Sequence, residues 1–152
     1  MIAYIVIIAA IFAGEWCIKN YVEKNRQFYE KIPVAKGIII LRKYHNDGAF
    51  LNLGEKRKKL VAIISVLLSL VLSGVFVMTL STKGSTLLKT GLALLLGGAF
   101  SNTYDRLKRK YVVDYFSFGI GTEKFKRVVY NISDFCILLG ALCIVIGNIK
   151  NA

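Results

Sequence analysis

The chain has 152 residues, of which 55% are hydrophobic, and a net charge of +12 at pH 7. This length gives room for one compact domain, and a mean hydropathy of +0.55 excludes an ordinary soluble protein. In a soluble chain such a charge would indicate a nucleic-acid partner. Here the basic residues flank apolar windows and favour contact with anionic lipid headgroups, so we expect no nucleic acid.

Four windows have the length of a membrane-spanning helix, which needs about 20 mainly apolar residues. They are residues 2–22, 60–80, 86–104 and 128–149. The first window has no basic n-region and its apolar run is longer than that of a signal peptide, so we interpret it as a retained helix. The sequence therefore predicts an all-α membrane protein, a single domain with four transmembrane helices.

Two of the connections between these helices are long and emerge on one side of the membrane. They are residues 23–59 and 105–127. In the first, the β-branched and aromatic run 37–53 is interrupted by the turn signal Asn46-Asp47-Gly48. This pattern predicts a small β element of two strands and a turn. An interfacial segment lying on the headgroups is the alternative.

Three groups of polar residues lie at the ends of the predicted helices, each with the spacing of one helix face. They are Glu15 with Lys19, Asn102 with Asp105 and Arg106, and Asn131 with Asp134. Polar side chains in membranes often join helices by hydrogen bonds, at about 0.6 kcal/mol each. Such ties are an alternative to a functional role, above all for Asn102 and Asn131.

Asp114 and Asp134 are harder to explain as ties between helices. Asp134 falls in an otherwise apolar run, where an ionisable group costs roughly 2.5 to 3.5 kcal/mol near the bilayer centre. Two carboxylates that meet cannot both ionise, so they share a proton. One can then activate water while the other polarises a carbonyl and protonates the leaving amine. The pair predicts peptide hydrolysis without a covalent intermediate.

A small proton-coupled carrier is another interpretation of the same two carboxylates, because membrane carboxylates also mark transport paths. The sequence has no visible inverted repeat and no chain of acidic groups across the bilayer, which a carrier would need. The patterns HExxH, CxxC, GxSxG and SxxK are also missing from the sequence. Their absence disfavours a zinc protease, a metal site and a serine nucleophile.

Along nearly its whole length the chain resembles lipoprotein signal peptidase, the type II signal peptidase of bacteria. The family pattern GGAxGNxxDRxxxGxVxDF is similar to GGAFSNTYDRLKRKYVVDY at residues 97–115, and FNxAD is similar to YNISD at residues 130–134. NDGA at residues 46–49 is similar to the start of the family segment NxGAAF, which lies in a small extracytoplasmic sheet. In the first helix, Glu15 and Lys19 are similar to the family pattern DxxxK.

The resemblance implies an aspartic endopeptidase that removes the signal peptide of a diacylglyceryl-modified prolipoprotein, cleaving before the lipidated cysteine. It implies that Asp114 and Asp134 form the catalytic dyad. The implied supporting or substrate-binding residues are Glu15, Lys19, Asn46, Gly48, Asn102, Asp105, Arg106 and Asn131. It also implies that no metal or other cofactor takes part and that globomycin inhibits. We expect a monomeric, multi-pass protein of the bacterial cytoplasmic membrane.

Several positions depart from the family patterns. They are Glu15 in place of Asp, Phe50 and Leu51 in place of Ala and Phe, Ser101 and Lys110 in place of Gly, and Ser133 in place of Ala. Glu15 adds a methylene that can displace Lys19, and Phe50 adds bulk beside the expected substrate groove. A divergent paralogue with altered specificity, or one that binds lipopeptides without cleaving them, is the main alternative.

The charge distribution and the resemblance imply opposite orientations in the membrane. Residues 23–59 and 105–127 hold 17 lysines and arginines against three on the other side. The positive-inside rule would therefore place both segments in the cytoplasm, whereas the family has them outside. We follow the family, because its motif match is specific and the charge rule is a statistical bias.

Overall fold

The computed structural model describes residues 1–48, 57–81 and 86–149, which are mostly helical with one small antiparallel sheet. The elements in chain order are helix α1 (Ile2–Asn25), strand β1 (Ile32–Val34), a 3-10 turn (Ala35–Gly37), strand β2 (Ile39–Asn46), helices α2 (Lys58–Leu80) and α3 (Thr86–Lys108), strand β3 (Val112–Phe118), and helices α4 (Glu123–Arg127) and α5 (Ile132–Ile149).

Three helices of the described part, α1, α2 and α5, are long and apolar enough to cross a membrane. Helix α3 has the length for a span, but Lys89, Asn102 and Asp105 make it more polar than the other three. The fourth transmembrane helix therefore stays a prediction.

Helix α3 lies at the centre of the helical part and packs against α1, α2 and α5. Ten of its residues are buried, whereas only Ser69 and Phe76 are buried in α2, which exposes apolar side chains such as Leu70 and Met78 outward. A central helix has protein neighbours that can bind its polar groups, so α3 tolerates a polar composition that an outer helix could not.

Helices α3 and α5 are in backbone contact along a seam of glycines. A Cβ added to Gly98 would lie 2.5 Å from the carbonyl oxygen of Ser133, and one added to Gly140 would lie 2.6 Å from that of Gly91. Small residues allow helices in membranes to approach this closely. The seam fixes the start of α5 against the half of α3 that carries its polar residues.

The sheet has the strand order β1-β2-β3, and both pairs are antiparallel. Strand β2 pairs with β3 from Ile39 opposite Phe118 to Asn46 opposite Val112. The link between α3 and β3 turns at Lys110, whose φ of 72° lies in the left-handed region that favours glycine. The family pattern has glycine at this position, so the turn is kept here at the cost of backbone strain.

The β element differs in part from the expectation. Strand β2 ends at Asn46, at the predicted turn signal, and the second predicted strand lies outside the described residues. Strand β3 was not predicted, because its residues are buried on both faces and show no alternation of polar and apolar types. Helix α5 begins four residues later than expected, because Tyr130 pairs with Phe116 of β3.

Candidate active site

Asp134 lies in the first turn of α5, and the residue before the helix binds it reciprocally. The backbone N–H of Asp134 donates to Asn131 Oδ1 at 3.1 Å, and the backbone N–H of Asn131 donates to Asp134 Oδ2 at 3.0 Å. This is a capping box, in which each side chain satisfies a backbone donor at the start of a helix. The i,i+3 spacing of the two residues thus fixes the orientation of the Asp134 carboxylate.

Asn131 also joins Asp134 to Asp114, which lies on β3. Its Nδ2 donates to Asp114 Oδ1 at 2.6 Å, while Asn46 Nδ2 donates to Asp114 Oδ2 at 3.1 Å. Asn102 Nδ2 donates to Asp134 Oδ1 at 3.2 Å. Three asparagines, from three different parts of the chain, therefore hold the two carboxylates with neutral amide donors.

In the part of the chain that the structure describes, no lysine or arginine forms an ion pair with Asp114 or Asp134. Asp114 is only 1% exposed. Burial, and after it the neighbouring charge of Asp134, raise its pKa from 3.8 to about 8, against the hydrogen bonds from Asn46 and Asn131 and the charge of Lys19, which lower it. The buried surroundings therefore favour the protonated form of Asp114.

A second group of buried acids lies close by and has cationic partners. Lys19 Nζ is 3.4 Å from Glu15 Oε2 and 3.0 Å from Asp105 Oδ2. Arg109 Nε donates to Asp105 Oδ1 at 2.8 Å. Lys19 also donates to Asn102 Oδ1 at 2.9 Å, and so orients the amide that binds Asp134. The spacing of Glu15 and Lys19 predicts this pairing, and the additional methylene of Glu15 does not separate the two.

Arg106 connects α3 to the turn that follows β2. Its Nη2 donates to the carbonyl oxygen of Gly48 at 2.9 Å, and its Nη1 donates to the carbonyl oxygen of Asn102 at 3.3 Å. The N–H of Gly48 in turn donates to Asn46 Oδ1 at 3.1 Å. These contacts aim the Asn46 amide at Asp114. The Nε of Arg106 is buried and has no hydrogen-bond partner among the described residues, and the Arg106 residue lines a groove.

The groove has a volume of about 690 Å³ and lies between α2, α3, α5 and β3. Its walls are mainly apolar, and its polar end is formed by Asn46, Asn102, Arg106 and Asp134. Leu68 of α2 and Leu138 of α5 line it and are 57% and 62% exposed. The groove therefore opens sideways, at the surface that an apolar helix presents to lipid.

An aromatic wall borders the groove beyond its polar end. It consists of Phe118, Phe125, Tyr130 and Phe135, with Phe118 and Phe125 stacked at 5.4 Å between ring centroids. Rings of this kind offer a large apolar contact area with little loss of side-chain entropy. The wall and the leucines of α2 together suit a ligand with a long apolar part.

The expected site residues fall into three groups. Those at the two carboxylates are Asn46, Asn102, Asp114, Asn131 and Asp134, those in the cation-bound group are Glu15, Lys19 and Asp105, and those at the turn after β2 are Gly48 and Arg106. The departures at Phe50 and Leu51 lie outside the described residues. Sequence reasoning did not find Tyr115 among the contacts of Glu15, because 100 residues separate the two.

Comparison with known proteins identifies the family and the fold. A model of the Signal peptidase (SPase) II family matches residues 7–150. The chain is 34% identical to the lipoprotein signal peptidase of Halalkalibacterium halodurans over 148 residues, which are 97% of this chain and 88% of that protein. Identity to that of Halothermothrix orenii is 29% over 143 residues, 94% of this chain and 92% of the relative.

Two solved structures have the same fold. Both are described as bacterial membrane enzymes obtained by the in meso method, at 2.3 and 1.9 Å resolution. The first superimposes with a TM-score of 0.86 at 20% identity, over 99% of this chain and 90% of the other. The second has a TM-score of 0.83 at 19% identity, over 100% of this chain and 96% of the other.

Proposed function

This chain belongs to the signal peptidase II family, and we propose that it acts as an aspartic endopeptidase with Asp114 and Asp134 as its catalytic dyad. Membership of this family assigns the general activity. The protein is a membrane-integral protease that removes signal peptides from prolipoproteins. One observation carries the proposal that these two aspartates are the dyad. Asp114 and Asp134 are joined through Asn131 and are held by neutral amides alone in the described part of the chain.

The proposed mechanism gives the two carboxylates different roles. Asp114 keeps its proton at neutral pH, because its pKa is raised to about 8, and Asp134 is the ionised partner. Asp134 takes a proton from water as the water oxygen bonds to the scissile carbonyl carbon, whose oxygen accepts a hydrogen bond from Asp114. The carbon–nitrogen bond then breaks and Asp114 protonates the leaving amine. The pair holds one proton again at the end.

Polar residues around the dyad keep it in position and receive the peptide. Asn46 and Asn131 orient Asp114, while Asn102 and Asn131 orient Asp134. Arg106 lies at the polar end of the groove, where it would bind backbone carbonyls of the substrate. The apolar part of the groove fits the hydrophobic signal peptide and the acyl chains of a diacylglyceryl group. Cleavage before the lipidated cysteine needs no metal in this scheme.

We infer a topology with four spans, in which α3 crosses the bacterial cytoplasmic membrane among α1, α2 and α5. The sheet then lies outside, a monomer suffices for the site, and the basic residues near the helix ends contact anionic headgroups. A cysteine in place of the exposed Lys36 should react with an impermeant thiol reagent added outside intact cells. Labelling only after lysis would contradict this orientation and support the charge rule.

The experiment that tests the dyad is a gel-shift assay on a lipidated prolipoprotein with the variants Asp114→Asn and Asp134→Asn. Each should lose activity by about 10²- to 10⁴-fold, as expected when a general acid or base is removed. The matched control is Asp47→Asn, which removes a carboxylate paired with Lys58 outside the dyad. Full activity of both dyad variants would refute the mechanism.

Two further measurements distinguish the alternatives. A wild-type protein that binds globomycin but releases no cleaved product would be a non-catalytic relative. Proton flux into liposomes that contain the protein would favour a carrier. We expect product in the first assay and no flux in the second.

A further inference from the structure

Glu15 of α1 lies between the two segments that carry the dyad. Its Oε1 accepts a hydrogen bond from the Tyr115 hydroxyl, and its Oε2 accepts one from Ser133 Oγ at 2.7 Å. Tyr115 follows Asp114 on β3, and Ser133 precedes Asp134 in α5. One buried carboxylate, 2% exposed, therefore binds the immediate neighbour of each catalytic residue.

The same residues satisfy the backbone donors at the start of α5. The Ile132 N–H donates to the Tyr115 hydroxyl at 3.0 Å, and the Ser133 N–H donates to Glu15 Oε2 at 3.3 Å. The first N–H groups of a helix have no partner within it, and its positive end attracts an anion. Glu15 supplies that anion, so the start of α5 is fixed to α1 and β3 together.

Tyr115 fixes the direction of its neighbour on the strand. Successive residues of a strand point to opposite faces, so the face that Tyr115 turns toward Glu15 determines the face that Asp114 turns toward Asn131. Tyr115 is buried at 7% exposure. Removal of its hydroxyl would break the contacts of Tyr115 with Glu15 and with the Ile132 N–H at the start of α5.

Glu15, Tyr115 and Ser133 all depart from the family patterns. Those patterns have Asp, Phe and Ala where this chain has Glu15, Tyr115 and Ser133. Phe and Ala carry no hydroxyl, so neither could donate to the carboxylate. The longer side chain of Glu15 reaches both hydroxyls and still lies 3.4 Å from Lys19 Nζ.

We propose that Tyr115 and Ser133 are positioning residues, which act through Glu15 to set the separation and the relative orientation of Asp114 and Asp134. They touch neither the substrate nor the reacting atoms. The inference rests on the proposed dyad. It predicts that the two hydroxyls affect the chemical step and not the binding of the prolipoprotein.

The test compares Tyr115→Phe, Ser133→Ala and the double variant in the cleavage assay. Each single variant should lower kcat by about threefold to tenfold, the value of one or two hydrogen bonds, with KM unchanged. The double variant should lose less than the product of the two single losses, because both hydroxyls act on the same carboxylate. The pH profile of kcat should also shift, because the spacing of the dyad sets its proton sharing.

Matched controls remove the same chemical groups elsewhere. Ser117→Ala deletes a buried hydroxyl of β3 whose Oγ has no hydrogen-bond partner among the described residues. Tyr104→Phe deletes a tyrosine hydroxyl on α3, where the ring packs against Phe12. Both controls should keep the wild-type kcat and pH profile. Thermal midpoints in detergent report the folded state of every variant.

Three results would overturn the inference. They are a wild-type kcat in both single variants, a loss that the controls share, and a lower thermal midpoint with no change in kcat or pH profile, which would mark a purely structural role. The dyad variants separate this outcome from a failure of the proposed function. If Asp114→Asn and Asp134→Asn are inactive while Tyr115→Phe and Ser133→Ala are unaffected, only the positioning role is wrong.

Discussion

Two pairs of acids lie side by side in this protein, three of them buried and Asp134 partly buried, and their partners differ. Glu15 and Asp105 share Lys19, and Asp105 also binds Arg109. Asp114 and Asp134 bind asparagine amides and, in the described residues, no cation within ion-pair distance. Asp105 and Asp114 are both 1% exposed. Burial alone therefore does not distinguish the proposed catalytic acid from an acid bound in an ion pair, whereas the charge of the partner does.

The physical reason is the cost of burying charge. A buried carboxylate beside a lysine stays ionised, because the cation offsets the lost hydration. Two close carboxylates that have only neutral donors cannot both be ionised, and one keeps its proton. The pairs are connected by a single amide, since Asn102 accepts from Lys19 and donates to Asp134. Through this amide the structural pair orients Asp134 of the proposed catalytic pair.

The largest predicted effect is the loss of stability caused by Lys19→Met. The variant leaves Glu15 with no cation and Asp105 with Arg109 alone, and breaking a buried ion pair from one side costs about 3–5 kcal/mol. Unfolding in detergent by heat or by dodecyl sulfate measures the loss. The control is Lys58→Met, which breaks an ion pair with Asp47 that is half exposed at the lysine and should cost less than about 1 kcal/mol. Equal losses of stability in the two variants would contradict a stabilising role for the buried ion pairs of Lys19.

Raising the pH should have a smaller effect, on both stability and activity. The pKa of Asp114 is raised from 3.8 to about 8, so the folded state binds this proton more tightly than the unfolded state does. The contribution of Asp114 to stability is then greatest below about pH 4 and is lost as the pH rises toward 8. Activity should fall about tenfold per pH unit above this value as the proton leaves.

Two measurements check the pH effect. The kcat of cleavage is followed from pH 6 to pH 10, and the thermal midpoint of the wild type is compared with that of Asp114→Asn over the same range. The variant should lose part of the pH dependence of stability. An unchanged kcat through pH 9, or identical pH dependence in the two proteins, would exclude a protonated Asp114.

The smallest predicted effect is that of Asn131→Ala, which removes a helix cap and the link between the two proposed catalytic acids. We expect a loss of about 1 kcal/mol in stability, the usual value of a cap, and a shifted pH profile of kcat. Thr122→Ala is the control, because Thr122 caps α4 and contacts neither dyad carboxylate. It should cost a similar amount or less and leave the pH profile unchanged. Identical profiles in both variants would mean that Asn131 is only a cap.

The sequence allowed some parts of this site to be predicted and not others. The i,i+4 and i,i+3 spacings of Glu15 with Lys19 and of Asn131 with Asp134 are local, and the structure has both pairs in contact. Asp114 lies outside every predicted helix, and it took the family resemblance as well as the sequence spacing to select it, rather than Asp105, as the partner of Asp134. The hydrogen bond between Glu15 and Ser133 spans 118 residues. No local pattern indicates a contact that depends on the packing of α1 against α5.

The polar composition of α3 has a consequence for the biogenesis of the protein. A helix that carries Asn102, Asp105 and Arg106 near its end partitions less readily into lipid by itself than an apolar helix does, because charged groups add to the cost of insertion. Lys19 of α1, which enters the membrane earlier in synthesis, lowers that cost by binding Asp105. If α3 spans the bilayer, its insertion depends on the helix made before it, and a chain that fails to form this contact would release α3 to the quality-control proteases of the membrane.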